Sequence, residues 1–117
     1  MFSIEVRPRE KIFFFLISGF FTLQDAMDFS AAFKRKLQSI DDPTQYTLIA
    51  DGSALQVSTQ EMLPLLKRCI IMCQRTPFKK RYLVGMESHL ALGQMQRLIK
   101  EVDLEIEIVT SMNEVKY

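Results

Sequence analysis

The pattern of apolar and polar positions at the start of the chain predicts two β-strands. In residues 2–7 every second residue is apolar, beginning with Phe2, as in a strand that buries one face. A turn that contains Pro8 follows, and the run IFFFLI in residues 12–17 does not alternate. We therefore expect the second strand (residues 11–18) to be antiparallel to the first, central in its sheet and covered on both faces.

Three later segments repeat apolar residues every three or four positions, which predicts amphipathic helices at residues 22–39, 59–74 and 88–102. Thr22 and Ser88 have the short oxygen-bearing side chains that cap helix starts. Ser58, with Glu61 three residues later, fits a capping box at the second helix. Because proline has no amide hydrogen, Pro64 has to lie in or near the first turn of that helix.

Further apolar strands alternate with these helices, at residues 46–51, 81–86 and 104–109. A short helical turn at residues 111–115 completes the order β-β-α-β-α-β-α-β-α. Strands joined by single helices favour parallel pairs with right-handed crossovers. In the first and last strands every second residue is polar, so one face of each strand is expected to be exposed to solvent. The predicted fold is thus an α/β domain covering residues 1–117, a single mixed sheet with helices mainly on one face.

Composition excludes several classes of protein. With 48% hydrophobic and 25% charged residues, the chain is a globular protein rather than a disordered one. The net charge of +1 gives no general attraction to nucleic acid or anionic membrane. The longest apolar run, residues 12–21, is too short to span a bilayer and contains Gly19. No secretory signal is visible and the cysteines are few, so we expect reduced thiols and a cytoplasmic location.

Residues able to perform catalysis are scattered along the chain. His89 is the single histidine, at a helix start, where a surface or capping role is typical. Cys69 and Cys73 lie on one side of a helix, but zinc needs two further ligands, so buried core thiols are favoured. The four glycines do not cluster into a phosphate-binding loop. We expect no enzymatic activity, no catalytic residues, no cofactor and no metal.

Two other features leave alternatives open. The basic segment QRTPFKKR, residues 74–81, can bind phosphate or an acidic protein surface, but a solvated loop is the favoured interpretation and no nucleic-acid partner is expected. The second helix is apolar on more than one side around residues 69–73. This surplus indicates either a thick core or a second buried contact, with a homodimer, a partner protein or an acyl ligand.

The loop after the third strand is the main candidate site. The segment LIADGSALQVSTQEM, residues 48–62, runs from an apolar strand through an Asp-Gly-Ser turn to a hydroxyl-rich helix approach. A helix start of this kind can hold an anion through its free amides, although every helix start shares that property. The residues of this segment are compatible with both protein docking and ligand binding.

The order of elements and the position of LIADGSALQVST resemble the STAS domain, which includes the SpoIIAA-like anti-sigma-factor antagonists; a related SpoIIAA-like group of uncharacterised bacterial proteins has the same fold. Family members commonly end the third strand in Asp-x-Ser, matched here by Asp51 and Ser53. They carry Asp-Ser-Ser-Gly, or a variant, at the next helix start, where a partner kinase that is also the anti-sigma factor phosphorylates a serine or threonine. Here residues 57–60 read VSTQ, so the phosphorylation motif is degenerate, and the acceptor position falls nearer Gln60 or Glu61.

The resemblance implies a non-enzymatic regulatory or protein-interaction module of the bacterial cytoplasm. It places the candidate interaction and phosphorylation site on the loop at residues 51–61, at Asp51, Ser53, Ser58, Thr59 and Glu61. The expected partner is another protein or a second copy of the chain, with no nucleic acid and no membrane span. The alternative is a module that binds a small anionic or acyl ligand through the same loop.

Overall fold

The elements of the computed structural model, which describes residues 1–116, follow the predicted order. The strands are β1 (Phe2–Arg7), β2 (Ile12–Ile17), β3 (Thr47–Asp51), β4 (Lys80–Val84) and β5 (Glu107–Val109). The helices are α1 (Leu23–Gln38), α2 (Leu63–Arg75) and α3 (His89–Val102), with short 3-10 turns at Pro43–Gln45 and Met112–Glu114. The final helix of the predicted order is thus a single 3-10 turn.

The strands form one five-stranded sheet in the order β1-β2-β3-β4-β5. β1 and β2 are antiparallel, and every later neighbouring pair is parallel. The alternation in β1 places Phe2, Ile4 and Val6, which are partly buried, against the helical core and leaves its other face exposed. This arrangement confirms the predicted mixed sheet and the inner position of β2.

All three helices pack on one face of the sheet, as predicted from the polar, solvent-exposed faces of the two edge strands. Their apolar stripes meet the strand residues in one core, where Phe13, Phe29 and Phe33 are completely buried. The rings of Phe13 and Phe33 lie 5.0 Å apart between centroids, and those of Phe15 and Phe29 lie 4.9 Å apart. Such tilted and edge-to-face contacts add to the stabilisation from burying the rings.

The opposite face of the sheet is covered in part by residues 115 and 116. Val115 packs with Ile12, Ile49 and Tyr82 in a second apolar cluster. The Tyr82 hydroxyl donates a hydrogen bond of 2.9 Å to the carbonyl of Lys116. These contacts explain why β2 has no alternating pattern: some of its residues pack against the helices, while Ile12 and Phe14 belong to the cluster on the other face.

The predicted caps of α1 and α3 are confirmed. The Thr22 hydroxyl accepts from the Asp25 amide and the Asp25 carboxylate accepts from the Thr22 amide, each at 3.0 Å. The Ser88 hydroxyl accepts from the Ala91 amide at 3.2 Å. In both cases the side chain satisfies an amide that has no partner within the helix.

The predicted start of α2 is wrong. The helix begins at Leu63 instead of residue 59, and its N-cap, Met62, makes no side-chain cap hydrogen bond. A helix starting at residue 59 would require Pro64 to donate an amide hydrogen to the carbonyl four residues earlier, which proline cannot do. Starting at Leu63 keeps Pro64 in the first turn, and the capping box of Ser58 and Glu61 does not form.

β5 is shorter than predicted because the residues before it terminate α3. Asp103 adopts the left-handed conformation, with a φ of 57°, and the Leu104 amide donates to the Ile99 carbonyl at 3.1 Å. Leu104 and Ile106 still pack on the core, as their alternation predicted, but outside the strand. None of the helices in residues 1–116 has the length and apolar character needed to cross a membrane.

Candidate functional site

The carboxyl ends of β2, β3 and β4 lie at the same edge of the sheet because these strands are parallel. We call the segments that follow them, residues 18–22, 52–62 and 85–88, the loop layer. It contains most of the predicted site, since Asp51 ends β3 immediately before it.

Asp51 and Ser53 make a local turn together. The Asp51 carboxylate accepts hydrogen bonds from the Ser53 amide at 3.0 Å and from the Ser53 hydroxyl at 2.7 Å. The Gly52 amide donates to the Val84 carbonyl at 3.1 Å, which ties the same turn to β4. The Asp-x-Ser pattern therefore has a structural role, because both of its side chains stabilise the turn at the end of β3.

The loop after β3 is fastened to both neighbouring loops. The Gly19 amide donates to the Ala54 carbonyl and the Gln56 amide donates to the Gly19 carbonyl, each at 2.9 Å. Gly19 has a φ of +70°, a conformation that suits glycine. On the other side, the Glu87 amide donates to the Ser53 carbonyl at 3.0 Å. These hydrogen bonds connect the loop layer into one unit.

Ser58 is fixed by a side chain from α3. Its amide donates to Gln94 Oε1 and its carbonyl accepts from Gln94 Nε2, both at 2.8 Å. Ser58 is buried, and its hydroxyl has no hydrogen-bond partner among residues 1–116. Thr59 and Glu61, in contrast, are exposed. The structure therefore separates the two hydroxyls of the predicted site, with Ser58 inside the protein and Thr59 on its surface.

Anion binding by the loop competes with its own hydrogen bonds. Within residues 51–61, the amides of Gly52, Ser53, Leu55, Gln56 and Ser58 already donate to acceptors inside the protein. An anion at this loop would have to displace those acceptors or use the remaining amides.

An apolar cavity lies behind the loop, between the sheet and the helices α2 and α3. Its volume is about 50 Å³, and its lining includes Leu66, Cys69, Leu83 and Met95. An engineered apolar cavity of roughly 150 Å³ is large enough to bind benzene. The cavity would thus have to enlarge to admit an acyl chain.

The two cysteines are buried in the core, as predicted. Burial raises the pKa of the Cys69 thiol to about 11 and that of the Cys73 thiol to about 12. Both thiols are therefore protonated at neutral pH, whereas the thiolate is the form that attacks electrophiles and binds metals. Within residues 1–116, no three His, Cys, Asp or Glu side chains come together as a metal site.

The basic segment and the histidine have other positions in the structure. The Arg81 guanidinium donates to the carbonyls of Cys73, Gln74 and Thr76, at 3.2, 3.2 and 2.7 Å, and so closes the carboxyl end of α2. Lys79 and Lys80 are exposed. His89 is exposed at the first position of α3, where Ser88 provides the cap.

Exposed apolar side chains in the loop layer and at the start of α3 were not predicted from the sequence. Phe20 is 67% exposed, Leu90 at the start of α3 is 73% exposed, and Val57 is 36% exposed. Leu90 precedes Gln94 by one helical turn and therefore lies on the same face of α3 as the residue that holds Ser58. Its position outside the apolar stripe of α3 was a signal available in the sequence.

The fold has a counterpart among solved structures. The crystal structure of an uncharacterised protein of the DUF3478 family, with a SpoIIAA-like fold, from Shewanella loihica PV-4 is similar to this chain with a TM-score of 0.68. The two sequences are 13% identical, and the match covers 97% of this chain and 88% of the other. No protein-family model and no curated protein matches the sequence. The chain has a SpoIIAA-like fold, as the resemblance implied.

Proposed function

We propose that this SpoIIAA-like domain is a non-enzymatic regulatory module of the bacterial cytoplasm that docks a protein partner through the loop layer and the start of α3. The observation that carries the proposal is the set of exposed apolar side chains, Phe20, Val57 and Leu90, on backbone held by internal hydrogen bonds. Large apolar groups on an ordered surface lose little conformational entropy on binding, so they favour protein contacts.

The exposed polar residues of the loop supply a means of regulation. Thr59 and Glu61 both face solvent within the proposed docking surface. A negative charge added beside this surface changes its affinity for a partner by repulsion or by new ion pairs. Thr59 is the hydroxyl suited to such a change, since Ser58 is buried and its backbone is bound by Gln94.

The test compares capture of partners by immobilised variants. We expect Phe20→Ser combined with Leu90→Ser to lose proteins that the parent chain retains from a bacterial lysate. Met112→Ser is the matched control, because Met112 is also an exposed apolar residue, 40% exposed, but lies outside the loop layer in the 3-10 turn Met112–Glu114. Identical capture by the double variant and the control would contradict the proposal.

A second comparison tests regulation by charge. Thr59→Glu is expected to weaken capture while leaving the circular dichroism spectrum and melting temperature unchanged, because Thr59 is exposed. Ser58→Glu is expected to lower the melting temperature, since it forces a charge into a buried position. Unchanged capture by Thr59→Glu would remove the loop from the regulatory surface.

A further inference from the structure

A groove runs between α1 and α2 on the outer side of the helical layer. It encloses about 500 Å³, and the residues along its walls include Leu23, Met27, Leu65 and Met72. Leu23 is 56% exposed and Met27 is 60% exposed, so the wall formed by α1 is largely open to solvent. Methionine side chains adapt to the shape of an apolar partner, which suits such a wall to recognition.

The α1 side of the groove is lined with small residues between the larger ones. Ala26, Ser30 and Ala31 have short side chains. Leu23, Met27 and Ala31 follow one another at intervals of four residues, so they form one ridge along α1. A second helix can approach closely where the side chains of such a surface are short, because ridges of one helix pack into grooves of another.

The charges at the groove have one sign. Among the described residues that line it, the charged ones are Lys34 and Arg68. The sequence of α2, LPLLKRCIIMCQR, contains Lys67, Arg68 and Arg75 and no Asp or Glu. The Lys67 ammonium pairs with the Glu101 carboxylate at 3.4 Å, which directs that charge towards α3. Lys34 and Arg68 are therefore the cations available to a molecule that enters the groove.

We propose that this groove binds an amphipathic α-helix of a partner protein, with the apolar stripe of that helix against Leu23, Met27 and Met72 and with Asp or Glu residues facing Lys34 and Arg68. The apolar lining selects the stripe, and the cations select its acidic borders, since complementary charge determines which partners bind. The residues that line this groove lie on α1 and α2, outside the loop layer and the start of α3.

The experiment titrates the isotopically labelled protein with synthetic helical peptides. One peptide carries leucines at positions i, i+3, i+4 and i+7 with glutamates on both borders; a second has lysines in place of the glutamates; a third is a scrambled acidic sequence. We expect only the first to bind, with NMR shift changes centred on Leu23, Met27 and Met72. Shift changes confined to the loop layer would assign the peptide to that surface and would overturn the inference.

Charge exchange tests the role of the two cations. Lys34→Glu combined with Arg68→Glu is expected to lower the affinity for the acidic peptide by about tenfold or more, because two attractive charge pairs become repulsive. The same double variant is expected to bind the lysine peptide. The control is Lys36→Glu combined with Lys100→Glu, which makes the same change in net charge at exposed positions outside the groove. Equal affinities of the two double variants for the acidic peptide would overturn the inference.

Two further measurements test other possible occupants of the groove. Self-association that appears in analytical ultracentrifugation and disappears in Met27→Asp would make a second copy of the chain the occupant. Binding to vesicles of anionic lipid without binding to the acidic peptide would make the groove a membrane contact. Either result contradicts the proposed acidic helix.

Discussion

The pair of hydrogen bonds between Gln94 and Ser58 is expected to contribute measurably to stability. Gln94→Ala leaves the Ser58 amide and carbonyl without their 2.8 Å partners, at a residue that is 8% exposed. Each lost hydrogen bond costs about 1 kcal/mol, and more where water cannot replace the partner. The variant should therefore be destabilised by about 2 kcal/mol, which for a chain of 117 residues lowers the melting temperature by roughly 8 °C.

The assay combines thermal or urea unfolding with amide hydrogen exchange. Gln96→Ala is the matched control, because it removes the same side chain from an exposed position of the same helix. Gln94→Glu keeps the volume of the side chain and the acceptor for the Ser58 amide, but it loses the donor to the Ser58 carbonyl. Destabilisation by both Gln94 variants therefore assigns the effect to hydrogen bonding instead of packing.

Hydrogen exchange locates the effect. We expect the Ser58 amide to exchange faster in Gln94→Ala than in the parent chain, because the loop opens locally when its partner on α3 is removed. If Gln94→Ala matches Gln96→Ala both in melting temperature and in exchange at Ser58, the side chain does not hold the loop and the reasoning is refuted.

Three further predictions concern stability. Gly85→Ala should lower the free energy of unfolding by about 1–3 kcal/mol, because a Cβ there would lie 3.1 Å from the Val109 carbonyl oxygen. Gly93→Ala should raise it by about 0.5–1 kcal/mol, because Gly93 is in a helix and a Cβ there meets open space. Urea unfolding measures both changes. Arg81→Met should lower the free energy of unfolding by about 1–3 kcal/mol and speed amide exchange at the end of α2, because the carbonyls there lose their guanidinium donor. Lys80→Met, at an exposed position, is the control. Equal melting temperatures of the two variants would contradict the prediction. Burial raises the pKa of Asp25, but hydrogen bonds with Thr22 and the Met1 ammonium lower it by more, so the folded pKa lies below 3.8. The stabilisation of the folded state by the ionised Asp25 carboxylate is present above the ordinary pKa of 3.8 and is lost as pH falls through the lower folded pKa. The parent chain should therefore lose its melting-temperature advantage over Asp25→Asn on acidification, and a constant difference would refute this.

Local patterns in the sequence determined the element types, their order and two of the helix caps. Thr22 and Asp25 are three residues apart and satisfy one another without help from the rest of the fold. The alternation in β1 and the helical repeats determine which side of each element is buried, so the one-sided arrangement of helices followed from them. The Asp-Gly-Ser segment after β3 was likewise predicted as a turn, and the Asp51 carboxylate accepts hydrogen bonds there from the Ser53 amide and hydroxyl.

Tertiary structure decided the parts that depend on residues distant in the chain. Ser58 resembles a helix cap because Glu61 follows it, but its backbone is bound by Gln94, 36 residues later. Arg81 belongs to a basic segment, yet its guanidinium binds carbonyls at the end of α2. The groove between α1 and α2 exists only after the two helices pack together. Short-range patterns specify backbone hydrogen bonding and the buried face of each element, whereas the partner of a polar side chain depends on which elements the folded chain brings into contact.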